Sequence, residues 1–230
     1  MNSDFKGLIA VISGAGSGIG LAVAKKLKAQ GAEVFGLDLS AGELENSGAG
    51  IWIQCDIASD ESVNQAFKNI TSKVSKIDIL INNAGIGAQG GVEVTTTEEW
   101  SKVLNINVIG TSRVSSAALP HMRKSSDGAI VNTCSVVATV GIPNRAIYSA
   151  SKGAILSLTL AMAADLLPER IRVNCVNPGT ADTPWVGRLL SQSADPAKER
   201  ASLEARQPIG RLISSEEVAN AIIYLAHPEQ

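Results

Sequence analysis

The sequence predicts one α/β domain built around a doubly wound parallel sheet. The chain has 230 residues, of which 45% are hydrophobic, so it can form one sizeable core. Short apolar segments rich in β-branched residues alternate with longer segments of helical periodicity. The short segments are apolar at consecutive positions, which is typical of strands covered on both faces. Because no repeat or linker interrupts this pattern, residues 1–230 are treated as a single domain.

Six strands and four helices are expected from this alternation. The strands are predicted at residues 8–12, 33–37, 51–54, 77–81, 129–132 and 172–176. The helices are predicted at residues 21–30, 60–74, 98–123 and 146–166. Residues 178–208 are richer in Pro, Ser and charged residues than their surroundings. We interpret about residues 180–210 as a helical flap over the site.

Charge and composition argue against several classes of protein. The formal net charge is −2 and the Lys and Arg residues are scattered, so no nucleic-acid partner is expected. No apolar run approaches the roughly 20 residues of a membrane helix, and the start of the chain is polar. We therefore expect a cytoplasmic protein without a membrane partner.

The cysteines and histidines give no sign of a metal site. Cys55, Cys134 and Cys175 lie in or beside apolar segments and are predicted to be buried, reduced thiols. His121 and His227 lie far apart, with no second ligand at metal spacing. Neither histidine is predicted to be catalytic.

A glycine-rich segment at residues 13–20 joins the first strand to the first helix. Missing side chains let the backbone approach a pyrophosphate there, and the helix N-terminus offers free N–H groups. Tight turns also use glycine for structural reasons alone, so the segment by itself is weak evidence of nucleotide binding. The residues predicted to contact a cofactor are Gly14, Ser17, Gly18, Ile19 and Gly20.

Asp38 ends the second strand, eighteen residues after Gly20. A carboxylate at this point can accept hydrogen bonds from the adenosine ribose hydroxyls, and it would repel the 2′-phosphate of NADP. No Arg or Lys occupies the glycine-rich segment or the two positions after Asp38, so the predicted cofactor is NAD. The alternative is that Asp38 is simply a solvated aspartate at the end of a strand. Asp56 and Ile57 are weaker candidates for the adenine end, since an Asp there often caps a turn.

Tyr148 and Lys152 are four residues apart and share one face of a predicted helix. An ordinary Tyr pKa of about 10 is too high for a general base near neutrality, but a Lys cation and an oxidised nicotinamide both favour the phenolate. Ser135 follows a strand and can meet the phenol at the carboxyl end of the sheet. Since no histidine is placed for a triad, Ser135 is predicted to position the substrate rather than attack it. An isolated Tyr-x-x-x-Lys is more often a half-buried aromatic beside a lysine that extends to solvent, but this pair is not isolated.

The order and spacing of these residues resemble the short-chain dehydrogenase/reductase family over almost the whole chain. The motifs are the glycines at 14, 18 and 20, Asn82-Asn83-Ala84-Gly85, Asn107, Ser135, Tyr148, Lys152 and Asn177-Pro178-Gly179. The resemblance implies a Rossmann fold in which Tyr148 is the acid/base and Ser135 polarises the substrate oxygen. It also implies that Lys152 binds the nicotinamide ribose, lowering the Tyr pKa, and that Asn107 holds a proton-relay water.

The same resemblance implies further cofactor contacts after the fourth and sixth strands. Besides Tyr148 and Lys152, the residues concerned are Asn83, Ala84, Gly85, Pro178, Gly179 and Thr183. For Asn82 and Asn83, the alternative is that they only form a turn.

Within the family, the chain resembles type 2 3-hydroxybutyrate dehydrogenases and bacterial 2-keto-3-deoxy-L-fuconate dehydrogenases at residues 143–145, 179–184 and 206–211. This implies that Arg145 and Arg188 clamp a substrate carboxylate by forked hydrogen bonds, with Ser135 and Tyr148 on the reacting oxygen. Each Arg could instead be a structural ion-pair partner, and Trp185 could shape an apolar wall.

Relatives usually continue through a further strand that contributes to a tetramer. Either that strand is missing from this sequence or the sheet has a shortened edge. We expect a homo-oligomer, either a tetramer or a dimer.

The predicted function is NAD-dependent hydride transfer that interconverts a secondary hydroxyl and a ketone on a small hydroxy acid or sugar acid. One alternative is an NADPH-linked carbonyl or 3-oxoacyl reductase, which Asp38 disfavours. Another is a catalytically silent nucleotide-binding protein, which the intact set of Ser135, Tyr148 and Lys152 disfavours.

Overall fold

The central sheet consists of six parallel strands. The computed structural model describes residues 4–191 and 193–230. The strands are β1 (Ile9–Ser13), β2 (Glu33–Asp38), β3 (Ile51–Gln54), β4 (Ile79–Asn82), β5 (Gly128–Thr133) and β6 (Ile171–Val176). Their order in the sheet is β3-β2-β1-β4-β5-β6, so the direction of winding reverses between β1 and β4. A crevice for ligands is expected at the carboxyl ends of the strands at this reversal point.

Helices cover both faces of the sheet. One face carries α1 (Gly18–Ala29) and α8 (Ser215–Ala226), and the other carries α2 (Asp60–Thr71), α4 (Gly110–Met122) and α5 (Ala146–Leu166). All five residues of β1 are buried, which explains why the strand segments are apolar at consecutive positions. The predicted fold class is therefore confirmed, and the six strands lie within two residues of their predicted positions.

The long helix predicted at residues 98–123 is interrupted. It consists of α3 (Thr97–Leu104), a π-helical turn (Asn105–Ile109) and α4. A π turn inserts an extra residue into the helix, and π turns occur frequently at functional sites. Here the turn contains the buried Asn107, whose amide bonds to main-chain atoms outside the helix. The apolar periodicity of the sequence continues across the turn and gives no sign of the interruption.

Two helices and a small sheet form the segment after β6. Helices α6 (Pro184–Ser191) and α7 (Pro196–Ala205) occupy the predicted flap. Strands β7 (Ala181–Asp182) and β8 (Ile213–Ser214) pair with each other and were not predicted. Helix α8 was also not predicted, although Ser214 and Glu217 form a capping box at its start, and that motif is visible in the sequence.

Two expectations from composition need correction. Residues Ala146–Glu169, which include α5, are long and apolar enough to cross a membrane by length and composition alone, so the expectation that no run approaches that length is wrong. One side of the segment packs against β6 and the sheet core. Cys55 and Cys134 are buried free thiols, whereas Cys175 is partly exposed, because it lies on the edge strand β6.

Candidate active site

The glycine-rich segment between β1 and α1 is packed too closely for side chains. Gly14 and Gly18 have φ of 68° and 54°, a region that favours glycine. A Cβ atom on Gly14 would lie 2.9 Å from Cα of Ala84, and one on Gly20 would overlap the carbonyl of Gly14. Ser17 precedes α1 without a side-chain cap, and no acidic residue lies in the first turn. This arrangement leaves helix N–H groups available to an anion, as a dinucleotide pyrophosphate requires.

Asp38 lies directly beside the glycine-rich segment. Its Oδ2 accepts a hydrogen bond from the Gly16 N–H at 2.9 Å, and its main-chain carbonyl accepts one from Nε1 of Trp52 at 3.2 Å. A Cβ atom on Gly16 would lie 3.0 Å from the same Oδ2. The carboxylate is therefore held at the edge of the glycine-rich segment, where the adenosine ribose is predicted to bind.

Asp56 and Ile57 have different surroundings from each other. Asp56 is exposed, and its Oδ1 accepts a hydrogen bond from the Ala58 N–H at 2.8 Å. Ile57 is buried against Gly110, the first residue of α4. The turn-capping alternative therefore describes the geometry of Asp56, and a contact to adenine remains a prediction for both residues.

Hydrogen bonds join the loop after β4 to the glycine-rich segment. The hydroxyl of Ser13 accepts from the N–H groups of Asn83 and Ala84, both at 3.1 Å. The Asn83 amide in turn donates to the carbonyl of Gly14 at 3.1 Å. These bonds connect the two sides of the crevice. Asn83, Ala84 and Gly85 therefore lie along it as the motif implied, and Ser13 is a supporting residue that the sequence analysis missed.

The structure brings Ser135, Tyr148 and Lys152 together at the carboxyl end of β5. Ser135 follows the strand in an extended conformation, and Tyr148 and Lys152 lie in the first two turns of α5. Nζ of Lys152 donates to the carbonyl of Thr133 at 2.7 Å and lies 5.8 Å from the centre of the Tyr148 ring. Parallel pairing of β5 between β4 and β6 puts this group next to the crevice.

Burial has the largest effect on the pKa values of Tyr148 and Lys152. It raises the pKa of Tyr148, while hydrogen bonding to Ser135 and the positive charge of Arg145 act in the opposite direction. Burial also lowers the pKa of Lys152 to about 8. The sequence predicted a lowered phenol pKa, and the protein alone shows a raised one, because the loss of hydration outweighs the favourable contacts. An oxidised nicotinamide, being cationic, would favour the phenolate when bound.

The side chain of Asn107 holds the loop after β4 against the catalytic helix. Its Oδ1 accepts from the N–H of Ile86 at 2.8 Å, and its Nδ2 donates to the carbonyl of Ile86 at 2.9 Å and to Ser151 at 3.1 Å. The Ser151 hydroxyl donates to the carbonyl of Tyr148 at 2.8 Å. The geometry gives Asn107 a positioning role through Ile86 and Ser151, which the sequence analysis missed. Its proton-relay water remains a prediction.

The segment after β6 approaches the same crevice. The Val136 N–H donates to the carbonyl of Pro178 at 3.1 Å, which joins this segment to the region after Ser135. Gly179 packs against the side chain of Gln207, and a Cβ atom there would overlap Oε1 of that residue. Thr183 lies beside Gly18 of the glycine-rich segment. Their cofactor contacts remain predictions.

Arg145 and Arg188 occupy different environments. Arg145 is half-buried just before α5, and its Nη1 donates to the carbonyl of Asn144 at 2.9 Å. Burial lowers its pKa, the charge of Arg206 lowers it further, and Glu199 acts in the opposite direction. Arg188 is exposed on α6, and its guanidinium forms no hydrogen bond within the described residues. The cation that influences Arg145 is thus Arg206, which the sequence analysis quoted as part of a motif without assigning it a role.

A family model and a known relative both match most of the chain. The sequence model of a family described as enoyl-(acyl carrier protein) reductase matches residues 14–230. The chain is 38% identical to a cis-4-hydroxycyclohexanecarboxylate dehydrogenase of Sinomonas cyclohexanicum, over 98% of this chain and 92% of that protein.

Two solved structures are similar over nearly the whole chain. The ligand-free aldohexose dehydrogenase of Thermoplasma acidophilum has a TM-score of 0.91 and 31% identity, covering 100% of this chain and 90% of that one. The 3-ketoacyl-(acyl-carrier-protein) reductase of Brucella melitensis, in complex with NADH, has a TM-score of 0.87 and 33% identity, covering 98% and 93%.

Proposed function

Because the chain belongs to the short-chain dehydrogenase/reductase family, we propose that it is an NAD-dependent dehydrogenase that interconverts a secondary hydroxyl and a ketone on a small hydroxy acid or sugar acid. The observation that carries the proposal is the group of Ser135, Tyr148 and Lys152 beside a crevice lined by glycine-rich turns. The family is one of oxidoreductases that act on hydroxyl groups, and the chain's relatives include dehydrogenases of secondary alcohols.

In this proposal the residues divide the reaction between them. Tyr148 takes the hydroxyl proton of the substrate, and Ser135 donates a hydrogen bond to the same oxygen. Lys152 supports the phenolate by its positive charge and is fixed by the carbonyl of Thr133. The glycine-rich segment and Asp38 would hold the dinucleotide, which would supply the hydride acceptor for the carbinol carbon.

The glycine-rich segment fits a dinucleotide, because side chains at Gly14 and Gly20 would collide with neighbouring backbone. The choice of NAD over NADP rests on Asp38. Its carboxylate is held beside Gly16 by a hydrogen bond, in the position where a 2′-phosphate would meet a like charge. The residues that follow it, Leu39 and Ser40, offer no positive charge to a phosphate.

A carboxylate on the substrate is favoured by Arg145. The guanidinium is half-buried three residues before Tyr148, and the nearby Arg206 adds positive charge. A buried cation is stabilised by an anionic partner, and the planar guanidinium matches a carboxylate. The relative from Sinomonas cyclohexanicum acts on a compound that carries both a hydroxyl and a carboxylate. Hydroxy acids of the 3-hydroxybutyrate or deoxy-sugar-acid type are the substrates we propose.

We test the function first by following NADH formation at 340 nm across a panel of hydroxy acids, sugar acids, free sugars and secondary alcohols. Turnover limited to acids is the expected result. Turnover of neutral alcohols alone would contradict the carboxylate contact and leave the hydride reaction in place.

Replacing Tyr148 with Phe removes the transferable proton and little else. We expect Tyr148→Phe to keep cofactor affinity, measured by NADH fluorescence titration, and to lose roughly two to four orders of magnitude in kcat. Unchanged turnover in this variant would contradict the mechanism.

A second candidate is reduction of 3-oxoacyl groups with NADPH. The similarity to the Brucella melitensis 3-ketoacyl-(acyl-carrier-protein) reductase supports the 3-oxoacyl substrate but not the phosphorylated cofactor, since that structure contains NADH. Comparing kcat/KM with the two reduced cofactors on an acetoacetyl thioester distinguishes the candidates, since the dehydrogenase proposal requires clear preference for the nonphosphorylated cofactor.

We also propose that the protein is a cytoplasmic homo-oligomer. The outer face of α5 carries small and apolar residues such as Ala161 and Leu160, and they are exposed in the single chain. All three cysteines are free thiols, as is usual in a reducing compartment.

A further inference from the structure

Thr183 and the first two residues of α6 contact both sides of the cofactor crevice. On one side, a Cβ atom on Gly18 of the glycine-rich segment would lie 3.5 Å from Cβ of Thr183 and 3.6 Å from Cδ of Pro184. On the other side, a Cβ atom on Gly87 in the loop after β4 would overlap the six-membered ring of the Trp185 indole. Since β1 and β4 are neighbours where the strand order reverses, α6 begins across the mouth of the crevice.

The indole rests on a part of the loop that is fixed to the catalytic helices. Ile86, which precedes Gly87, bonds to Asn107 through both its N–H and its carbonyl. Ile86 and Ala88 belong to a small apolar cluster against which Tyr148 packs. Trp185 therefore covers a loop residue whose two neighbours lie in the surroundings of the reacting phenol.

The helix that carries the indole has its own anchor. Val186 is buried in a cluster with Leu203 of α7 and Leu212. Trp185 itself is 37% exposed, so the residue is partly covered, with its ring against Gly87, and partly open to solvent. The Trp185 ring lies between the loop after β4 and α6. Because both are held by packed or hydrogen-bonded neighbours, the position of the ring is well defined.

We propose that Trp185 and Gly87 are a matched pair that limits the size of the substituent on the carbinol carbon of the substrate. The inference rests on the proposed dehydrogenase function, since that carbon is the one that loses the hydride. The indole fills the space beside the loop, and glycine at position 87 leaves room for it. A methyl group at position 87 displaces the ring, and removal of the ring admits a larger substituent.

A double-mutant cycle with Gly87→Ala and Trp185→Ala tests the pairing. The substrate is the best compound of the panel, together with homologues that carry one to three more methylenes on the carbinol carbon. For Trp185→Ala we expect kcat/KM on the longest homologue, relative to the shortest, to rise about tenfold or more. Gly87→Ala should change this ratio in the same direction in the parent and by less than about twofold in the Trp185→Ala background, because its effect passes through the ring.

Gly91→Ala is the matched control, since it lies in the same loop with no atom within 4 Å of its added Cβ. It should leave the preference among homologues unchanged. An equal effect of Gly87→Ala in both backgrounds would overturn the proposal, because Gly87 would then act without Trp185. Unchanged preference in Trp185→Ala would overturn it as well.

A readout that needs no turnover separates this inference from the proposed function. In a Trp52→Phe, Trp100→Phe background, Trp185 is the remaining tryptophan. Gly87→Ala should shift its emission to longer wavelength and increase its quenching by acrylamide, whereas Gly91→Ala should do neither. Absence of the shift would contradict the contact itself. If the shift occurs while no panel compound is oxidised, the proposed function fails and the substrate-size role fails with it, although the contact stands.

Discussion

Lys152 is a buried cation whose ionisation affects the stability of the fold. Its pKa in the folded protein is about 8, against an ordinary value of 10.5, and burial is the main cause. Between these two values the unfolded chain binds more protons than the folded one, so stability rises with pH through this window. Below about pH 8 the whole cost of burying the charge is present. The protein therefore retains a destabilising residue at the position where the proposed reaction would use a positive charge.

We expect Lys152→Met to be inactive and more stable than the parent. At pH 7 the gain in unfolding free energy should be about 2 kcal/mol, since relief of a shift of this size is offset by the lost hydrogen bond to Thr133. The gain should decrease as the pH is raised from 8 to 10. Urea unfolding at several pH values measures it, and a variant less stable than the parent at pH 7 would contradict the assignment.

Asp38 is expected to discriminate between the two nicotinamide cofactors. In Asp38→Ala the hydrogen bonds to the ribose and the charge that opposes a 2′-phosphate are both lost, so KM for NAD should rise about tenfold and the preference over NADP should fall by more. Steady-state kinetics with both cofactors measures the change. Glu43→Ala is a control, because that acidic residue meets the glycine-rich segment through its main-chain N–H. An unaltered preference in Asp38→Ala would show that the ribose contact lies elsewhere.

At the scale of residues, the sequence is informative where function depends on spacing along one element. Tyr148 and Lys152 share a helical face because they are four residues apart, and the structure places them together with Ser135. The sequence is silent where function depends on main-chain atoms from distant segments. The bonds that the N–H groups of Ile86 and Ala84 donate to Asn107 and Ser13 are not predicted by any side-chain pattern in the sequence. The pKa of Tyr148 was misjudged for a related reason, since burial depends on the whole fold.

At the scale of elements, close contacts of glycine decide where helices and loops meet. Gly110 begins α4 directly after the π turn, and a Cβ atom there would lie 2.9 Å from Cδ1 and 3.1 Å from the carbonyl oxygen of Ile57. The loop after β3 can therefore approach α4 only because this residue has no side chain. Apolar periodicity predicted the helix but neither the π turn nor this approach.

Gly110→Ala is expected to destabilise the protein by roughly 1 kcal/mol, because overpacking against Ile57 outweighs the better helix propensity of alanine. Gly187→Ala in α6 is the matched helical control, since nothing lies within 4 Å of its added Cβ. That control should be neutral or slightly stabilising. Thermal unfolding of the two variants gives the comparison, and equal stability would mean that the loop moves away without cost.

At the scale of the whole molecule, the alternation of strands and helices was sufficient to predict the fold. A parallel sheet with right-handed connections has few possible windings, and the reversal between β1 and β4 follows the standard order for dinucleotide binding. The assembly was less predictable, because an apolar face on a helix supports a core as readily as an interface. In α5 an apolar face packed against the sheet and exposed apolar residues such as Leu160 occur in one helix with a membrane-like composition.

The exposed side of α5 is expected to lie in an interface between subunits. Leu160 is 66% exposed in the single chain, and a glutamate there would place an uncompensated charge in an apolar contact. We expect Leu160→Glu to lower the molar mass measured by light scattering after size-exclusion chromatography. Glu61→Gln on α2 is a control, because Glu61 is also exposed in the single chain. A parent that is monomeric at micromolar concentration would contradict the expected assembly.

The hydrogen bonds that the loop after β4 donates to Ser13 have a thermodynamic consequence. Because Asn83 and Ala84 are already held to the glycine-rich segment, the conformational entropy of ordering this loop is lost when the chain folds and not when a dinucleotide arrives. The affinity for the cofactor can then be changed by the few contacts at its two ends, while the crevice between the glycine-rich segment and the loop after β4 stays the same. Relatives with different substrates could keep one rigid crevice while α6 and the loop after β4 change, which separates the evolution of substrate choice from that of cofactor binding.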